Sequence, residues 1–556
     1  MAIRWPKTTS FQEITLEYEH TICAVCGDIL RYQSTRTRAF YQLTGPTRLA
    51  CRLVWCLNPS CAAYRQLLSP EREKRLSWPG WCMGWDVLLW LGFRRFARHW
   101  SFPQLRAELW DSYQIRLSVP TLADYARRYQ VMVAARHQDV SLLRSVYQEQ
   151  ENLVLSIDGI QPEKGHETVY VIRELRAQRV WFAETLLSSA TSEIQRVIRR
   201  ARLLAEQLDR PVCGWISDKQ DAFVTAIAAE FPGAPHRWCS NHFLRDAAQV
   251  LLEVDSQAKV QMRHKVRNLR QLERAALEGD CLREDKTGLT PEQQTYSAQI
   301  VFTSCAMVRG ILNDNHGGPF RPPGWRMAEA LMQVSQSLER MLTRPPTAIS
   351  PLLTRLPACI QRGLTRYAED FCRIATGMGT LLIAWTLLHP HAGTRHNQRA
   401  EFQQMGQLAA QHPEPLMQHI GKLMQSFEEG LFCGDETLDI PEDNLELERW
   451  FRGPKGHERR IHGRQHVGVR LVIEAPTFLP AFDAHRSRTT PFTARELLPY
   501  VTAPIPESQQ QAVIRHQGMR KARSKKNETS SWNNLSGIMN RWFSGLLKRE
   551  LNLHKL

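Results

Sequence analysis

The chain has 556 residues, of which 43% are hydrophobic and 23% charged, a globular composition long enough for several domains and unlike a disordered polymer. Its 72 Lys and Arg against 56 acids leave a net charge of +16, which favours a polyanionic partner, nucleic acid before an anionic membrane. No run of about 18 apolar residues occurs, so no membrane span is expected. The N-terminus has no signal-peptide core, and the thirteen cysteines are expected as thiols or metal ligands of a cytoplasmic protein.

Residues 1–75 carry Cys23-Ala-Val-Cys26-Gly, then Cys51, Cys56 and Cys61. Leu49, Cys51, Leu53 and Trp55 alternate as one face of a strand, which leaves Cys51 in mid-strand. Cys56-Leu-Asn-Pro-Ser-Cys61 instead encloses an Asn-Pro turn and suits a metal knuckle. The expected ligands of a structural Zn²⁺ are therefore Cys23, Cys26, Cys56 and Cys61, four thiolates that a small ribbon needs in order to fold.

Residues 76–140 are helical by pattern, with helices expected over 81–100 and 102–110 and a turn at Asp111-Ser-Tyr-Gln. Ser118 is a plausible N-cap of a third helix through Arg127, Arg128 and Tyr129, with Pro120 tolerated in its first turn. Two short helices joined by a turn, the later one basic, suggest a helix-turn-helix DNA reader; a plain helical packing module fits the same local pattern.

Residues 141–250 read as an α/β unit. Asn152-Leu-Val-Leu-Ser-Ile-Asp158 and Val212-Cys-Gly-Trp-Ile-Ser-Asp218 are apolar runs, each closing on an aspartate, and fit strands buried on both faces. Between them lie a hairpin pair (168–174 and 179–187) and a helix with Ile194, Val197, Ile198 and Leu204 on one stripe. A helix over 221–231 and a short strand near His236 follow. Three strands, helix, strand, helix, strand is the order of an RNase H-like core. Residues 251–430 read as a helical insertion, and 431–480 as the return of the core, with Asn444, Glu448 and a basic segment after them. Residues 481–556 form a tail whose basic run from Arg515 to Lys526 reads as a solvated arm.

Asp158, Asp218, Cys239-Ser-Asn-His242 and Asn444-x-x-x-Glu448-Arg449, with a helical insertion between the last two motifs, resemble a DDE transposase of a bacterial insertion sequence. The likeness is to the Mutator-like kind, which places Cys-x-x-His after the second aspartate, and it covers roughly residues 20–475. It implies a multidomain α/β plus α protein: zinc ribbon, helix-turn-helix, and an RNase H-like core split by the insertion. It further implies two Mg²⁺ (or Mn²⁺) ions held by Asp158, Asp218 and Glu448, about 3.5–4 Å apart, flanking one phosphorus. His242 would lie near the scissile phosphate, and Arg127, Arg128, Lys455, Arg459 and Arg460 would touch DNA phosphates. Gly453-Pro454 departs from the pattern, since it should break the helix after Glu448. Glu446, Asp443 and Glu442 are rivals for the third acid, and Asp221 for the second.

The expected function is binding of the terminal repeats of a mobile element, with cleavage and strand transfer into target double-stranded DNA. A homodimer or larger assembly on the bacterial nucleoid follows, because two ends must be processed together. A catalytically idle DNA-binding regulator and a metal-dependent nuclease without strand transfer are the alternatives.

Overall fold

The structure is a computed structural model describing residues 5, 8–162, 165–266, 269–278, 290–318, 320–343, 351–389, 393–434, 436–463 and 468–522. It is mixed α/β with helix predominating, and two units partition it. One comprises Met1–Trp215, Asp221–Ala234 and Leu445–Leu556; the other comprises Ile216–Gln220 and Pro235–Asn444.

The first unit begins with a three-stranded sheet of order β1-β3-β2, from Gln12–Leu16 (β1), Arg31–Gln42 (β2) and Gly45–Trp55 (β3). β3 alternates as its sequence predicts: Leu49, Cys51 and Leu53 are buried against Leu16 and Phe40, while Arg48 and Arg52 reach solvent. The short helix α1 (Glu71–Leu76) supplies Glu73, 1% exposed, which accepts from Arg36 and Arg38 on β2.

Helices α2 (Trp85–Ala97), α3 (Phe102–Tyr113) and α4 (Val119–His137) follow. Ser101 and Ser118 cap the latter two through their hydroxyls, Ser118 as its sequence position predicts. α4, however, runs eight residues past Tyr129, and Tyr129 to Ala134 are all buried. Its C-terminal half packs on α2 and on α16 (Val469–Arg486), as a core helix would. Only its first turns offer a surface. α5 (Val140–Val146) leads into the second sheet.

In that sheet β4 (Leu153–Ile160), β5 (Thr168–Glu174) and β6 (Arg179–Leu186) form an antiparallel meander, and β7 (Val212–Ser217) lies on the other side of β4. α6 (Thr191–Leu208) and α7 (Asp221–Glu230) cover one face, where Leu153, Leu155 and Ile157 meet Ile194, Val197 and Phe223. The opposite face, with Ile160, Val169, Val171 and Val180, is covered by α15 (Leu445–His462) and α16 through Leu447, Trp450, Phe451 and Val472. α15 passes through Pro454 without ending, contrary to the expected break. Proline forfeits one backbone donor, yet Pro454, His457, Glu458 and Ile461 are buried on one side, and Gly453 lets the helix approach the Phe482 ring. After α17 (Ala494–Leu497), α18 (Glu507–Ala522) packs on α16 and β6, so the basic run through Ala522 is helix rather than a free arm. The remainder of that run lies outside the described residues.

The second unit starts at the end of β7 and adds β8 (His236–Trp238). A helical body follows: α8 (Ser240–Lys265), α9 (Leu269–Leu277), α10 (Pro291–Asn313), α11 (Pro323–Leu342), α12 (Pro351–Leu387), α13 (Arg395–Ala410) and α14 (Pro415–Leu431). One apolar core from Phe243 to Phe432 holds it, and buried Asp255 caps α11 by accepting from the N–H groups of Gly324 and Trp325. The body's two ends are tied together: Glu442 accepts from the Ser240 N–H, and the Cys239 thiol from the Asn444 N–H.

Candidate functional site

Cys23 and Cys26 sit in the loop before β2, and Cys56 and Cys61 bracket the turn after β3. Their four sulfurs all lie within 4.8 Å of one another, with Cys23–Cys61 at 3.8 Å and Cys26–Cys56 at 3.6 Å. Zinc–sulfur bonds of about 2.3 Å place neighbouring sulfurs of a tetrahedron about 3.8 Å apart, so the four residues fit a structural metal such as zinc. The N–H groups of Cys26 and Val25 lower the Cys23 thiol to about 7. At Cys56 the N–H of Asn58 works in that same direction, but burial and the neighbouring thiols prevail and push it up to about 12. Cys51, in mid-strand, is buried among apolar side chains and raised to about 11 by that burial; it stands apart from the cluster.

Asp158 was expected at the tip of its strand. β4 instead continues to Ile160, because side-chain-free Gly159 lies under the Tyr170 ring and keeps the pairing going. Asp158 therefore lies opposite Val171, on the sheet face that α15 covers. Its carboxylate accepts from the Gly159 N–H at 2.7 Å. Glu448 is on the first turn of α15, half-buried, one residue after buried Leu447 and three before buried Phe451. Its rival Glu446 is ion-paired at 3.1 Å to Arg173, a fully buried guanidinium on β5 that no sequence pattern singles out.

In the second unit, Asp218 directly follows β7. Burial raises its carboxyl, against the lowering charges of His242 and Arg245. His242 is buried in the first turn of α8, and Cys239 is that helix's N-cap. The Cys239 thiol is fully buried, raised to about 11 by burial, and accepts from Asn444 at 3.2 Å, which makes it a fastening for the residue before α15.

Of the basic residues, Arg127 is exposed but paired to Asp124 at 3.3 Å. Arg128 is half-buried and donates to the carbonyls of Val501 and Ala503, so its guanidinium holds the C-terminal segment. Lys455 is half-buried on α15, while Arg459 and Arg460 are exposed on the last turns of the same helix. A further group, His166, Glu167 and His516, also brings ligand atoms within 4.8 Å. No spacing in the sequence announces it, since its parts lie hundreds of residues apart.

No protein-family profile matches the chain, and neither does any curated protein. Among the described residues, no helix is long and apolar enough to cross a membrane.

Proposed function

We propose that this chain is a DDE-type transposase, with an RNase H-like core split by a helical insertion, acting on double-stranded DNA at the ends of a mobile element. The observation that carries the reading is Asp158 on the central strand β4, on the sheet face covered by the helix that bears Glu448. Further support comes from the strand order, with β7 and then β8 beyond β4, and from Asp218 directly after β7. The ties at Cys239 and Ser240 also support an insertion, because a segment whose ends meet can grow without displacing its flanks.

In this reading Asp158, Asp218 and Glu448 hold two Mg²⁺ or Mn²⁺ ions, a donor set of oxygens that suits such hard cations. When bound, the ions would activate the attacking oxygen and stabilise the leaving one. Glu446 is already neutralised by Arg173 and serves the fold. His242 opposes the burial that raises the Asp218 carboxyl. Arg459 and Arg460 contact the phosphate backbone, as does the net charge of +16 more diffusely. The four-cysteine ribbon and α3–α4 bind the element ends, and two ends call for at least a dimer in the cytoplasm.

The test incubates full-length protein with labelled DNA from the flanks of its gene, a target plasmid and Mg²⁺. Joined products are expected. Asp158→Asn, Asp218→Asn and Glu448→Gln should each lose at least about a hundredfold in cleavage with little change in DNA binding. Cleavage without joining would favour a nuclease, and binding without either a regulator. An Asp158→Asn protein cutting at the normal rate sinks the metal assignment.

A further inference from the structure

We propose that His166, Glu167 and His516 form a second metal site, for a borderline divalent cation such as Zn²⁺, which fastens α18 to the segment entering β5. His516 comes from α18, while His166 and Glu167 immediately precede Thr168, the first residue of β5. All three ligand atoms lie within 4.8 Å of one another, and His516 Nε2 is 3.1 Å from Glu167 Oε2. Metal–ligand bonds of about 2.0–2.1 Å set neighbouring donors of a tetrahedron about 3.3 Å apart, so that pair already has the separation of co-ligands. The two imidazoles stack, with centroids 5.5 Å apart and planes 18° from parallel.

The surroundings fit a built site. Glu167 offers one oxygen to His516 and turns the other, Oε1, to Arg515 Nε at 3.2 Å, an outer contact that fixes the carboxylate. Gln161 Nε2 donates to the His166 carbonyl at 3.0 Å and steadies the loop. His516 is 3% exposed and the Glu167 side chain 8%, while His166 is half-buried, which leaves one side open for a water as fourth ligand. Two imidazoles and one carboxylate select zinc-like cations over Mg²⁺ or Ca²⁺, and differ in kind from the four thiolates of the ribbon.

That difference makes the sites separable. Full-length protein is stripped with chelator, dialysed against buffered free Zn²⁺, and its metal counted by mass spectrometry; a parallel sample is loaded with Co²⁺. Two Zn²⁺ per chain are expected. His166→Ala and Glu167→Gln should each lower the count to one, while retaining the near-ultraviolet thiolate-to-Co²⁺ band of the ribbon. Cys56→Ser should remove that band and leave the visible absorption of the nitrogen–oxygen site. Glu167→Gln keeps the shape of the side chain but gives up one of its two acceptor oxygens, so an unchanged circular dichroism spectrum is the check that its loss of metal does not stem from misfolding. A wild-type protein with one Zn²⁺, or two ions persisting in both His166→Ala and Glu167→Gln, overturns the proposal.

Discussion

Replacing Cys56 by Ser should dismantle the N-terminal knuckles while leaving the helices after them intact. The local core consists of Cys23, Leu30, Cys56, Cys61 and Ala63. Remove the ligands and, of the fully buried side chains, only Leu30 and Ala63 remain, worth about 2–3 kcal/mol of apolar burial, with Tyr18, Val54 and Leu68 partly buried around them. Structural Zn²⁺ in small domains binds with about 10–16 kcal/mol, or about 2.5–4 kcal/mol for each of four ligands. Losing one thiolate should thus weaken metal binding about a hundred- to a thousandfold. Competition with a chromophoric chelator measures that change directly. Hydrogen exchange should then rise across residues 21–30 and 56–66 and stay unchanged in α2, whose core is separate. Cys51→Ala is the control, because Cys51 lies in the strand core outside the cluster. If Cys56→Ser binds Zn²⁺ as tightly as the parent, or if Cys51→Ala loses it, the four-thiolate assignment is wrong.

Other outcomes follow from the packing. His485 is buried, donates through Nδ1 to the Ala481 carbonyl and accepts at Nε2 from the Tyr129 hydroxyl; burial lowers it to about 4. A neutral imidazole in the fold stabilises fully above pH 6.5, and that stability is lost as pH falls towards 4. The span of 6.5 − 4 = 2.5 pH units is worth about 3 kcal/mol, and the gap between parent and His485→Gln in denaturant melts should shrink by that order across the window. Gly430→Ala would drive a methyl from α14 into the Trp238 ring and cost about 1–3 kcal/mol by thermal melting, whereas Gly379→Ala, with open space, should be neutral or slightly stabilising. Arg128→Met should destabilise by about 1.5–3 kcal/mol, having freed two carbonyls, without changing DNA affinity; Arg460→Ala should leave stability alone and flatten the salt dependence of binding by about one ion.

The parts legible in the sequence were those written in local pattern. The apolar runs before Asp158 and Asp218, the hairpin after Asp158, the cap Ser118, and the separation of Cys51 from four other cysteines needed only side-chain periodicity and turn chemistry. What was misread depended on distant partners. Pro454 reads as a helix breaker until the buried side of α15 is seen on the sheet. The run from Arg515 reads as a solvated arm because the anchors of its helix are polar: Gln509 meets Thr477, and His516 meets Glu167. Hydropathy does not register such contacts.

The same distinction bears on how a third acid can be chosen. As acids of one helical turn, Glu446 and Glu448 are each suited to offset the helix dipole, and in the sequence only the place of Glu448, four residues after Asn444 and directly before Arg449, favours it. Successive helical positions differ by about 100°, so two residues apart they point to opposite sides. One of those sides meets Arg173, a guanidinium removed from solvent whose charge requires a counterion. Surrendering that carboxylate to a metal would take from Arg173 its largest charge partner and leave Asp483 and Glu174 to offset a charge that burial disfavours. Glu448 lies next to the residues that cover the Asp158 face of the sheet. The buried arginine therefore separates the two candidates, where the spacing of the acids alone does not.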